Sequence, residues 1–134
     1  MLVDDTELEL CEMSSRLDCI SNVGTNPCPW REWLFDRVNQ CDPLHILELG
    51  SGSGSLWADN LGRLGMRWEI VISDVSARNV ERCKDRIVNR RGFEFKTIDA
   101  HSIPYPDDHF DVVIADHLLH RIANPEQVLR EIRR

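Results

Sequence analysis

The sequence predicts an α/β protein, a Rossmann-like, doubly wound parallel sheet of about four strands. Three observations carry that prediction. Short apolar runs alternate with stretches of helical periodicity along most of the chain. The runs Ile46-Leu47, Ile70-Val71-Ile72 and Val112-Val113-Ile114 are continuously apolar, as in strands covered on both faces of a parallel sheet. The first run breaks directly into Gly50-Ser51-Gly52-Ser53-Gly54-Ser55, a turn in which glycine permits positive φ and close approach of a ligand to the backbone.

Taken in order, residues 1–29 form a helical and loop lead. Leu8, Leu10, Met13, Leu17 and Ile20 have near-helical spacing, and the turn formers of residues 22–29 read as a loop. Pro29 opens a helix whose face is Trp30, Trp33, Leu34 and Val38, running to Asn39. That helix either covers the sheet or closes over a ligand site. Asp42-Pro43 is a break, and the first strand is His45 to Leu49. After the glycine turn, Leu56, Trp57, Leu61 and Leu64 predict a helix up to Gly65. The second strand is Arg67 to Ser73, ending at Asp74, and Ser76 caps a helix with the stripe Val80, Cys83, Ile87. Gly92 ends that helix, and Phe93 to Ile98 is the third strand, with Asp99 after it. A polar loop, His101 to His109, leads into the fourth strand, Phe110 to Ala115. Leu118 and Leu119 start a helical turn. Asn124, Pro125 and Gln127 then open a last helix carrying Val128, Leu129 and Ile132.

Composition narrows the function classes. The 134 residues are about one domain, with ordinary apolar and charged content. No run approaches the roughly 18–20 apolar residues of a membrane span. The N-terminus lacks a secretory pattern, so the expected setting is cytoplasmic. A net charge of −7 makes a nucleic-acid partner unlikely. The basic cluster Arg78, Arg82, Lys84, Arg86, Arg90 and Arg91 reads as the solvated face of a helix. The five cysteines are odd in number, widely spaced and without a C-x-x-C pair, which fits reduced thiols. His117 and His120 stand three apart, but no cysteine or carboxylate cluster completes a metal site with them, and no metal is expected.

In a doubly wound sheet, ligands bind at the carboxyl ends of the strands beside the topological switch point. Polar residues fall at those ends: Glu48 and the glycine turn, Asp74, Asp99, then Asp116 and His117. Asp74 follows the turn by about 20 residues, the spacing at which a carboxylate meets a ribose hydroxyl pair.

ELGSGSG at Glu48–Gly54 resembles motif I of the class I S-adenosylmethionine-dependent methyltransferases. ISDVS at Ile72–Ser76 is similar to their acidic second-strand motif, and the run from Ile98 to Arg134 to their UbiE-like, type 11 branch. The resemblance covers about residues 30–134, in order and spacing. It implies the methyltransferase fold, S-adenosyl-L-methionine as cofactor and a small-molecule methyl acceptor. Carried over by position, Gly50, Ser51, Gly52 and Gly54 pass under the methionine and ribose part. Glu48 stands near its amino group, Asp74 holds the ribose hydroxyls, Asp99 and Ala100 sit by the adenine, and Asp116 lies near the transferred methyl. His117, and after it His120, is the best-placed general base, should the acceptor need one.

The family's domain continues with a fifth strand and an antiparallel pair. The expectation is therefore of a cofactor-binding half at residues 30–134, with its C-terminal strands missing, a truncated product. Its fourth strand is then an open edge through which a second copy or a complementing chain could pair. Two other classes compete. A dinucleotide-dependent oxidoreductase needs glycine or alanine where Ser55 stands. A non-catalytic module would bind the cofactor or a partner with the fold alone.

Overall fold

The computed structural model describes residues 28–38, 41–87 and 91–134. The helix read from Leu8 to Ile20, and Arg90 of the basic cluster, lie outside them.

Four strands form one sheet in the order β3-β2-β1-β4: β1 is Leu44–Leu49, β2 Trp68–Asp74, β3 Phe93–Thr97 and β4 Val112–Ile114. Every pairing is parallel, with Ile46 beside both Ile70 and Val112 and Glu48 beside both Ile72 and Ile114. The chain moves outward from β1 through β2 to β3, then returns to the other side of β1. The switch point therefore lies between β1 and β4, beside the glycine turn. Among the described residues β4 pairs only with β1, so it forms an edge.

Side-chain alternation divides the apolar residues into two cores. On one face, Leu44 and Ile46 of β1 and Trp68, Ile70 and Ile72 of β2 pack with Phe35, Trp57, Cys83 and Ile87. On the other, Leu47 and Leu49 pack with Val71, Ile98, Ile103 and Val128. A sheet covered on both sides is what continuous apolar strands require.

Helix α1, Trp30–Phe35, is shorter than its apolar face suggests, ending in a turn that still buries Val38. The helix expected after the glycine turn is a correction. One α-turn, α2 at Ser55–Ala58, gives way to a 3-10 turn at Leu61–Arg63. Asn60 explains the break: it is buried, and its amide donates to the Leu56 carbonyl at 2.8 Å. This local bond competes with the next helical turn. Helix α3, Ala77–Arg86, begins at Ser76, whose hydroxyl accepts from the Asn79 amide as the cap reading required. Helix α4, Pro125–Arg133, is capped by Asn124, which accepts from the Gln127 amide at 3.2 Å. The Leu118–Leu119 signal becomes a 3-10 turn, Leu119–Arg121.

Asp111 fastens β4 to β1. Its carboxylate accepts from the His45 amide at 2.8 Å, and its own amide donates to the His45 carbonyl at 2.9 Å. At the other edge Gly92, with φ of 88°, gives its carbonyl to the Ile70 amide at 2.7 Å. A Cβ at Gly92 would strike the Trp68 carbonyl oxygen, so both backbone conformation and space demand glycine there. Gly92→Ala is expected to cost about 2 kcal/mol or more. Urea unfolding of wild type and variant reads this as a lower midpoint with an unchanged slope.

Candidate functional site

The glycine turn leaves β1 at Leu49 and crosses the carboxyl end of β2. Gly50, Gly52 and Gly54 have φ of 70°, 55° and 70°. The Ser51 amide donates to the Ser73 carbonyl at 2.9 Å, and the Gly52 amide to Asp74 Oδ2 at 2.9 Å. The turn is thus tied to the neighbouring strand as well as to its own. Cys83 of α3 supports it from below, with Sγ 3.4 Å from Ser51 Oγ and 3.5 Å from the Gly52 carbonyl. A Cβ at Gly54 would come within 3.0 Å of that sulfur, and one at Gly50 within 3.0 Å of Leu118 Cδ1. A side chain at either position would crowd these neighbours and strain a backbone at positive φ. Burial raises the Cys83 thiol to about 11, so the sulfur stays protonated and acts as packing.

The acidic residues stand at the strand ends as the sequence requires. Asp74 is buried at the end of β2. One of its oxygens takes the Gly52 amide and the other the Ser76 amide, at 2.9 Å each. A carboxylate oxygen has a second lone pair, so capacity for two hydroxyl donors remains. Glu48 is wholly covered, on the same face of β1 as Trp57, whose indole N–H donates to Glu48 Oε2 at 2.8 Å. Burial pushes Glu48 up to about 8; the indole opposes this and the charges of Asp116 and Asp74 add to it. Asp99, after β3, is exposed, and its Oδ1 accepts from the His101 amide at 2.9 Å with the His101 ring at 2.8 Å. Those bonds hold its carboxyl below the usual range. Ala100 beside it is buried. Asp116, after β4, accepts from Trp30 Nε1 at 3.1 Å on Oδ2, and its Oδ1 lies 2.6 Å from Nδ1 of the adjacent His117.

Glu48, the glycine turn, Asp74 and Asp116 thus converge at the switch point, while Asp99 and Ala100 lie one strand out, past β2. His117 is half-exposed and has a left-handed backbone, φ 51°. Its ring meets that of His120 edge-on at 6.4 Å. The pair precedes and enters the 3-10 turn instead of sharing one face of an α-helix.

Three contributors were not legible in the sequence. Trp30 reaches Asp116 across 86 positions of chain. Trp57, read as core, is also the hydrogen-bond partner of the buried glutamate. Arg86, read as part of a solvated face, extends to Ser55 Oγ at 2.8 Å and lies 3.8 Å from Asp59. The only signals available were an indole on the helix before β1, and an arginine in the last turn of the helix packed behind the loop.

Residues 47–134 match the family model described as a methyltransferase domain, and the chain belongs to that family. Its particular likeness is to the ubiquinone/menaquinone biosynthesis C-methyltransferase UbiE. It is 28% identical to the protein of Methylococcus capsulatus over 108 residues, 78% of this chain and 44% of that one. The chain spans less than half the length of the curated relatives it matches. A SAM dependent methyltransferase from Aquifex aeolicus shares the fold with a TM-score of 0.70 at 17% identity, over 90% of this chain and 65% of that one. The trans-methyltransferase CalH, solved in complex with SAH, aligns with a TM-score of 0.61 at 25% identity, over 77% of this chain and 32% of that one. The resemblance read from the motifs is borne out, as is the fold class.

Glu48 gives the site a pH signature. Its folded value, about 8, lies above the ordinary 4.5, so the folded state holds a proton that the unfolded chain releases. The stability associated with that proton is fully present below the ordinary value. It declines as pH rises and is lost once pH passes the folded value. Glu48→Gln keeps an acceptor for Trp57 and removes the titration. The variant is expected to match wild type near pH 4.5 and to exceed it at pH 8, by on the order of a few kcal/mol. Denaturant midpoints measured across that range check the divergence.

Proposed function

We propose that the domain binds S-adenosyl-L-methionine at the glycine turn and transfers its methyl group to a small-molecule acceptor. The observation that carries this reading is the pairing of a glycine turn held at positive φ with carboxylates at the adjoining strand ends. Residues 30–134 supply the cofactor-binding half in this proposal. Gly50, Ser51, Gly52 and Gly54 form the floor, Asp74 receives the ribose hydroxyls, and Asp99 and Ala100 border the adenine. Glu48 and Asp116 give the methionine end an acidic surround.

The chemistry of these side chains suits that ligand. The cofactor is a sulfonium cation that makes a methyl group electrophilic. A cation beside Glu48 would favour its ionised form and draw off the proton that burial retains. The protein's own work is to orient and to exclude water, the effects that dominate a displacement with no covalent enzyme intermediate. A pyrophosphate would instead meet buried and half-buried carboxylates. The proposed setting is the cytoplasm, where a thiol such as Cys83 stays reduced.

Calorimetry and thermal shift with S-adenosylhomocysteine and with NAD test the reading. S-adenosylhomocysteine is expected to raise the melting temperature and NAD to leave it unchanged; a larger NAD shift would sink the proposal in favour of an oxidoreductase. Asp74→Asn removes the charge that receives the ribose, and is expected to weaken S-adenosylhomocysteine binding by roughly tenfold or more.

A further inference from the structure

The glycine turn is held in two halves by two different elements. Its first half is tied to β2, with the Ser51 amide on the Ser73 carbonyl and the Gly52 amide on Asp74. Its second half, Ser53 to Ser55, is met by α3 instead. Arg86 Nη1 donates to Ser55 Oγ at 2.8 Å, and that hydroxyl lies 2.6 Å from Ser53 Oγ. Ser55 is buried, where a hydroxyl needs such partners. Cys83 stands one helical turn before Arg86 on the same side of α3, and packs against Ser51 and the Gly52 carbonyl. Helix α3 therefore offers the turn a packing surface at Cys83 and a polar strut at Arg86. The strut is itself anchored. Arg86 Nη2 lies 3.8 Å from Asp59 Oδ1, and Asp59 Oδ2 accepts from Arg31 of α1 at 3.4 Å. A guanidinium serves Ser55 and Asp59 through separate nitrogens of one planar fork, which a point-charge ammonium does not. The Arg86 side chain is 43% exposed, so the core does not depend on burying it.

We propose that Arg86 is a positioning residue of the ligand site, which acts through Ser55 to hold the second half of the glycine turn in the conformation that receives the cofactor. The inference rests on the S-adenosyl-L-methionine reading for its consequence, and on the hydrogen bonds alone for its geometry. A turn built on Gly50, Gly52 and Gly54 is costly to order. An arm from α3 meets that cost before the ligand arrives, so less of the binding free energy is lost to ordering. Affinity is thereby made to depend on a residue that need not touch the ligand.

Amide hydrogen exchange of the full chain, followed by NMR, reads the turn without ligand. The Gly54 amide donates to the Ser51 carbonyl at 3.0 Å, so its protection reports how often the turn opens. Arg86→Met is expected to speed Gly54 exchange by about tenfold, the loss of one charge-assisted hydrogen bond. The Ile70 amide, bonded to the Gly92 carbonyl in the sheet, is expected to exchange as in wild type. Ser55→Ala is expected to match Arg86→Met, and the double variant to lose no more than either alone, because both remove one link. In calorimetry, S-adenosylhomocysteine affinity is expected to fall in Arg86→Met by a similar factor. Unchanged Gly54 exchange in Arg86→Met, or additive losses in the double variant, overturns the strut. Faster exchange at Ile70 to the same degree marks Arg86 as a general stabiliser and overturns the proposal too. A loosened turn that binds S-adenosylhomocysteine as tightly as before overturns the role in the ligand site. Absence of S-adenosylhomocysteine binding by wild type, with the Gly54 response as expected, overturns the cofactor reading and leaves the strut standing.

Discussion

The site depends on the hydrogen bond from the Gly52 amide to Asp74. A glycine turn standing alone has many conformations and loses more entropy on ordering than any other kind. Here the turn at the end of β1 is fixed by the end of β2: Ser51 on the Ser73 carbonyl, Gly52 on the Asp74 carboxylate. These bonds exist because β1 and β2 pair in parallel with Leu49 beside Ser73. A one-residue slip would turn Asp74 to the opposite face and leave the Gly52 amide without its acceptor. The register of the two central strands is therefore also the geometry of the site.

That register rests on side chains distributed between two cores. Ile46, Ile70 and Ile72 face one layer while Leu47, Leu49 and Val71 face the other. Glu48 interrupts the first of these sets, and Trp57 repairs the interruption by offering an indole N–H in an otherwise apolar layer. A single residue thus fills the core with its ring and satisfies the buried carboxyl with its nitrogen. Cys83 acts in a comparable way from α3, packing in the apolar core and occupying the space that keeps residue 54 a glycine.

Strands and loop–strand spacings were legible because they are local. The apolar runs mark β1, β2 and β4, and the cap residues Ser76 and Asn124 mark helix starts within a residue. The carboxylates at the strand ends follow from the fold class, since strand ends in a parallel sheet share one edge. Long-range pairings were not legible. The indole–carboxylate bond of Trp30 and Asp116 joins residues whose own neighbourhoods say nothing of each other. Asn60 ended the predicted helix after Ala58 through a side-chain bond to Leu56, which periodicity of apolar residues does not register. The Arg86–Ser55 contact depends on where α3 ends relative to the loop, a matter of packing angle and not of charge pattern.

Glu48 poses an electrostatic problem at the switch point, since burial disfavours its charge and Asp116 and Asp74 stand near it. The fold resolves it in two ways. Asp74 accepts backbone amides on both oxygens, and Asp116 accepts the Trp30 indole on one. Glu48, with one indole and no solvent, keeps a proton instead. The result is two hydrogen-bonded aspartates beside a buried glutamate that retains its proton. For an anionic ligand such an arrangement is unfavourable at every step. For a cationic one it is favourable, since positive charge beside Glu48 lowers the cost of ionising that glutamate.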